Sequence, residues 1–258
     1  MAARTLIGMP SDPACRPLEH SLRRAPGFEI VLDSPAALAL RLERDALGGA
    51  LLSPIDYARN ASEYLIVPGS AVSSQSGNES IVLHFRPGLK TVRSLAIHPV
   101  SASDIILARI ILTERFDLEP QIVPVAGGLR DMLAKADAAL LTGDEAASAA
   151  QAATKALDLV EEWIGATDLP YVHGFWCARE KGLDRRAWSA LAALGDAPPP
   201  EDAPGGAPRF AYDFPENVRE GISEFLRYAY YHGILPDVPD LRFFGAADDG
   251  GAEAPGVN

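Results

Sequence analysis

The chain reads as an α/β protein in which two β/α blocks are followed by a helical return. Short apolar runs alternate with amphipathic segments as far as Trp176, the rhythm of parallel β-α-β units. The rhythm breaks at Arg86-Pro87-Gly88 and restarts at Val92, which separates the two blocks. Past Trp176 the strand-like runs cease, and helical segments at Asp184 to Leu194 and Glu216 to His232 take over.

Taken in order, Arg4 to Met9 is the first strand, and Pro10-Ser11-Asp12-Pro13 breaks it before a helix from Pro17 to Arg24. Phe28 to Leu32 alternates as a second strand. Ser34 then caps a helix whose first residue, Pro35, occupies the position proline favours. Leu47 to Leu52 is an apolar run stopped by Ser53-Pro54, with a short helix from Ile55 to Asn60. Tyr64 to Val67 and Ser80 to Phe85 are strands around a polar turn, Ser70 to Glu79.

In the second block, Val92 to His98 is a strand, Asp104 to Phe116 an amphipathic helix, Gln121 to Val125 a strand and Leu129 to Lys135 a helix. Asp137 to Thr142 is a buried strand, and Gly143-Asp144 stops it and opens a helix. Leu157, Leu159, Val160, Trp163 and Ile164 mark an amphipathic helix closing at Gly165, and Leu169 to Trp176 is an apolar, aromatic strand. In the last helix Val218, Ile222, Phe225, Leu226 and Ala229 share one face. Gly195 to Pro208 is a loop, and residues 246–258 form an acidic tail expected to be disordered.

A net charge of −12 excludes the basic stripe that a nucleic acid or an anionic membrane would require. No run approaches the roughly 20 apolar residues of a membrane span, and no signal core opens the chain, so a cytoplasmic location is expected. Cys15 and Cys177 lie far apart with no metal spacing and read as free thiols. His20, His84, His98 and His232 show no ligand spacing either, so neither a metal nor a cofactor is expected.

The succession Asp137-Ala-Ala-Leu-Leu-Thr-Gly-Asp144, then Leu157-Asp-Leu-Val-Glu-Glu-Trp163, then Leu169-Pro170-Tyr-Val172-His-Gly-Phe-Trp176 resembles the menaquinone-biosynthesis family that includes chorismate dehydratase of the futalosine route. Departures are Tyr171 for the usual Phe, Thr167-Asp168 for Thr-Gly and His173-Gly174 for Phe-Ala. The resemblance implies a two-lobed, periplasmic-binding-protein-like (type II) α/β fold with a ligand cleft between the lobes. By that analogy residues 1–85 plus 177–245 form lobe 1 and residues 86–176 lobe 2, with crossings near Phe85 and Cys177. The implied partner is a small organic carboxylate resembling chorismate.

In open α/β sheets the ligand lies beyond the carboxyl ends of strands, so the candidate binding residues follow strand ends: Ser11, Ser53, Asn78 with Ser80, Ser101 with Ser103, and Asp144. Hydroxyl and amide donors together with helix amino ends can hold a carboxylate without a salt bridge. Ser101-Ala-Ser103-Asp104 reads either as an N-cap alone or as a cap that also touches ligand. Ser103 stands for a family Thr, and Asp104 replaces an expected Ser and should repel an anion unless it turns away. Ser80, with Leu83 in register, falls on a family serine. Asp144 reads mainly as a helix cap, and His173 as a satisfied core or interlobe histidine rather than a general base.

The resemblance further implies a first-strand Asn that assists elimination, but Pro17-Leu18 registers Ala14 at that position, and alanine has no side-chain donor or acceptor. Two functions therefore stay open. One is dehydration of chorismate to 3-[(1-carboxyvinyl)oxy]benzoate by a hydro-lyase; the other is non-catalytic binding of a small carboxylate on the same fold.

Overall fold

Strands and helices alternate as expected through most of the chain. The computed structural model describes residues 4–98, 101–196 and 210–245. The acidic tail and most of the loop before Pro208 lie outside the described residues. From the amino end, β1 (Thr5–Pro10) leads through a 3-10 turn (Pro13–Cys15) into α1 (Arg16–Arg24), and β2 (Phe28–Asp33) into α2 (Pro35–Glu43). Then come β3 (Gly49–Leu52), α3 (Pro54–Ala58), β4 (Tyr64–Ser74), β5 (Ile81–Phe85), β6 (Ser94–Ile97) and α4 (Ala102–Phe116). The second half holds β7 (Gln121–Pro124), α5 (Leu129–Lys135), β8 (Ala138–Thr142), α6 (Gly143–Ala149), β9 (Lys155–Asp158), α7 (Leu159–Thr167), β10 (Tyr171–Arg179), α8 (Arg185–Ala192) and α9 (Glu216–Tyr231).

Local chemistry sets the helix starts. Ser34, Ser53, Asp158 and Asp184 each accept a backbone N–H from the first turn of α2, α3, α7 and α8, and proline opens α2 and α3. Two expected boundaries are corrected. Leu157 lies in β9, opposite Leu83 of β5, and Asp158 begins α7 by accepting from Val160 N at 2.9 Å. Helix α7 runs past Gly165 to Thr167, where Asp168 turns left-handed (φ +57°) and donates its N–H to Ile164 O.

The strands form two five-stranded sheets, ordered β2-β1-β3-β10-β4 and β7-β6-β8-β5-β9. The β-α-β pairs β1/β2, β1/β3, β6/β7 and β6/β8 are parallel. The sheets are nevertheless mixed, because β10 runs antiparallel to β3 and β4, and β5 antiparallel to β8 and β9. β4 extends well beyond Val67: its serines 70, 73 and 74 are fully buried, and residues 71–74 pair with β10 from Phe175 back to Tyr171.

Sheet membership moves the expected crossings. Phe85 ends β5, which belongs to the second sheet, and Cys177 sits inside β10, between Ala50 of β3 and Ile66 of β4 in the first. The chain leaves the first sheet after Ser74 and returns at Tyr171. Strand pairing holds a crossing strand more firmly than the composition around Arg86-Pro87-Gly88 breaks it, because each ladder amide must find a carbonyl.

A large core runs behind both sheets, from Leu52 and Ile66 through Leu83, Leu107 and Ile111 to Trp163, Tyr171 and Phe225. Helix α9 packs its apolar face here, as its spacing predicts. Its Gly221 allows close approach, since a Cβ there would lie 2.5 Å from Pro170 O in the return crossing. A second core holds α1 and α8 on the other face of the first sheet, and a third holds α5 and α6 on the second. Both cysteines are buried and free. Among the described residues, no helix is long and apolar enough to cross a membrane.

Candidate functional site

Several strand carboxyl ends and helix amino ends face one another between the sheets and enclose a cavity of about 440 Å³. From the first sheet come the β1–α1 segment (Ser11 to Cys15), the start of α2 (Ser34), the start of α3 (Ser53), Val72, His173 and Gly174. From the second come His98, Ser101 and Asp104 around α4, and Thr142 to Glu145 around α6. The site thus sits where open α/β sheets place ligands.

Several contacts join the two sides, two of them through candidate residues. Ser103 Oγ, fully buried, accepts the backbone N–H of Ile55 at 3.1 Å, joining α4 to the amino end of α3. At the rim Arg16 Nη2 donates to Asp144 Oδ2 at 2.8 Å. Gly143 makes the second approach possible: it is left-handed (φ +54°), and a Cβ there would stand 3.0 Å from Asp12 Oδ2.

Of the candidate residues, Ser11, Ser53, Ser101 and Asp144 line the cavity, whereas Asn78, Ser80 and Ser103 do not. Ser53 Oγ accepts from Asp56 N (3.4 Å) and donates to Asp56 Oδ2 (2.7 Å), so it caps α3 as it borders the cavity. Ser101 Oγ accepts from Ser103 N at 3.2 Å. Ser103 is turned into the α3–α4 contact, and among the described residues the buried Ser80 Oγ has no hydrogen-bond partner.

Asn78 acts at one remove. Its Nδ2 donates to Ser74 Oγ at 2.7 Å, and Ser74 Oγ lies 2.8 Å from His173 Nε2. Ser74 Oγ thus bridges Asn78 and the His173 ring, and the direction of its bond to Nε2 follows the imidazole tautomer. Burial drives the His173 pKa down to about 3, so the ring that lines the cavity is neutral. His173 is therefore interlobe and satisfied, as its setting suggested, and is also part of the cavity wall.

Charge in the cavity is acidic: Asp12, Asp33, Asp104, Asp144 and Glu145 line it, and among the described residues no Lys or Arg does. Arg41 pairs with Asp33 at 2.9 Å and Arg16 with Asp144 at 2.8 Å, while Glu145 lies 3.8 Å from His98 Nδ1. Burial raises the Asp12 carboxyl, against a hydrogen bond from Ala14 N at 2.8 Å.

Asp104 differs from these. It does not turn out to solvent; its Oδ1 accepts from Tyr171 Oη at 3.1 Å beside the cavity. Burial pushes its pKa up to about 7, opposed by the Tyr171 hydroxyl and reinforced by Asp12 and Asp56. Among the described residues it has no cationic partner, so near neutral pH this carboxyl is about half protonated. Ala14, at the position where a side-chain amide was expected, contributes only a methyl to the wall.

Asp33, His98, Thr142 and Glu145 were not singled out from the sequence. Each follows or ends a strand (β2, β6 or β8), so the strand-end rule applied to every strand would have found them.

The model of the family described as menaquinone biosynthesis matches residues 5–197. Among solved structures, protein AF1704 from Archaeoglobus fulgidus superposes with a TM-score of 0.65 at 16% identity, covering 91% of this chain and 99% of that one. An ABC transporter protein from Parabacteroides distasonis gives 0.64 at 16% identity over 93% and 98%. The periplasmic aliphatic sulphonate binding protein SsuA from Escherichia coli gives 0.60 at 14% identity over 93% and 96%. At such identities these neighbours establish the two-lobed binding-protein fold. The match over most of the chain identifies the family, and this protein belongs to the menaquinone-biosynthesis family.

Proposed function

We propose that this protein is a hydro-lyase of menaquinone biosynthesis that dehydrates chorismate to 3-[(1-carboxyvinyl)oxy]benzoate in the cavity between its lobes. The observation that carries the reading is the cavity itself: about 440 Å³, walled by both lobes, on a chain of this family. That volume suits a small organic acid. Ser11, Ser53 and Ser101, with the amino ends of α2, α3 and α4, are the groups offered to its carboxylates. The wall acids Asp33 and Asp144 are paired with arginines, which lowers the repulsion an anion would meet. The likeness to SsuA, a sulphonate-binding protein, is consistent with a small acid in such a cleft.

The reaction removes the ring hydroxyl as water and a proton from the adjacent ring carbon, leaving an aromatic ring. Enclosure excludes bulk water and holds the substrate while those bonds break. The test is incubation with chorismate, followed by ultraviolet absorbance and mass spectrometry. The aromatic ether and water are expected in equal amounts. Unchanged chorismate together with a raised thermal midpoint would assign the protein to non-catalytic binding instead, consistent with the methyl of Ala14; neither turnover nor stabilisation would reject both readings.

A further inference from the structure

We infer that Asp104 is the general acid of this cavity, with its carboxyl proton going to the departing hydroxyl of the substrate, and that Tyr171 is its positioning residue. The inference rests on the hydro-lyase reading above and assigns the residue that makes the leaving group good. Hydroxide departs poorly, so a proton donor is needed where the carbon–oxygen bond breaks. The wall offers few candidates. Asp33 and Asp144 are paired with arginines, and burial holds His173 neutral. Asp12 accepts the Ala14 N–H. Asp104 stands in the first turn of α4 and borders the cavity without a cationic partner among the described residues.

Geometry also orients the proton. Tyr171 Oη donates to Oδ1 at 3.1 Å, which leaves Oδ2 to carry the hydrogen. A bound anion would favour the protonated carboxyl, since the neutral form removes the repulsion. The groups facing Asp104 are Tyr171, the Ser101 backbone and, at longer range, the acids Asp12 of the β1–α1 segment and Asp56 of α3; both acids favour retention of the proton, and the hydrogen bonds from Tyr171 and Ser101 oppose it. In the step, the Asp104 O–H bond breaks, the substrate C–O bond breaks and water leaves. The neighbouring ring C–H proton passes to the substrate's own side-chain carboxylate, and its electron pair becomes the new ring double bond. That proton returns to Asp104 on product release, so no net proton is consumed.

The test is the pH profile of kcat and kcat/KM with chorismate for the wild type, Asp104→Asn and Tyr171→Phe. The wild type should lose activity as pH rises through about 7, the direction of an acid being ionised. Asp104→Asn should lower kcat at least a hundredfold with KM changed less than threefold, and abolish that limb. Tyr171→Phe removes a hydrogen bond that lowers the Asp104 pKa, so its limb should move to higher pH. A wild type inert towards chorismate overturns the hydro-lyase reading and this step together. Turnover by Asp104→Asn at more than a tenth of the wild-type kcat overturns only the role of Asp104. Should Asp104→Asn fail to fold by circular dichroism, the Tyr171→Phe limb decides: displaced upward it supports the assignment, unmoved it overturns it.

Discussion

Ser103 Oγ, on the first turn of α4, accepts the backbone N–H of Ile55 at the start of α3 across 3.1 Å. A side chain from one lobe thereby satisfies an amide that the other lobe's helix leaves without an intrahelical partner. Ser103→Ala should orphan that buried N–H and cost about 1–3 kcal/mol. Urea titration should show a lower midpoint at unchanged slope. A wild-type midpoint would mean that water replaces the bond at no cost.

Asp104 gives the protein a pH-dependent stability of unusual sign. Its carboxyl titrates near 7 in the folded chain against an ordinary 3.8. Between those values the folded state holds the extra proton, so stability from this group falls as pH rises from 4 and the loss is complete above 7. The full difference is on the order of 4 kcal/mol, an upper figure because the residue keeps some solvent access through the cavity. Asp104→Asn should therefore match the wild type in thermal midpoint at pH 4 and exceed it at pH 8. Equal midpoints at both pH values would refute the buried-carboxyl description.

Gly221→Ala reverses the usual helix rule. Glycine to alanine inside a helix normally gains up to about 1 kcal/mol. Here the added Cβ meets Pro170 O at 2.5 Å, a backbone atom that cannot swing aside. The substitution should destabilise by about 1–3 kcal/mol, read by denaturant titration. A stabilised variant would show that α9 can slide away from the return crossing.

Ser74→Ala should disturb the cavity wall while leaving its lining residues in place. It removes the hydroxyl that His173 Nε2 faces at 2.8 Å and one acceptor of Asn78 Nδ2. The expected cost is about 1–3 kcal/mol, against less than about 0.5 kcal/mol for the exposed Ser11→Ala. Nitrogen-15 chemical shifts of the His173 ring should also report a changed tautomer balance. An unchanged ring spectrum would argue against the Asn78–Ser74–His173 chain.

Helix starts were legible because they are local. Ser34 and Ser53 cap within three residues of themselves, and the proline that follows each has its φ set in advance. The apolar stripe from Val218 to Ala229 was legible for a similar reason, since one face repeats every turn. Ser70 to Ser74 misled because hydroxyls favour turns in isolation, whereas here β10 supplies the ladder that keeps them extended and buried. Ser101 and Ser103 are two residues apart, yet one borders the cavity and the other points into the α3 contact, a distinction that depends on where α3 lies.

By itself the sequence determined the alternation of strands and helices, most helix caps, the family motifs and the location of polar groups at strand ends, because these depend on neighbours a few residues away. Only the tertiary structure decided which sheet Ile81–Phe85 and Tyr171–Arg179 join, that Asp33, His98 and Glu145 share a wall with Ser101, and that Asp104 meets Tyr171. Those outcomes rest on pairings between segments far apart in the chain, and the burial that raises the Asp104 pKa exists only once both lobes surround it.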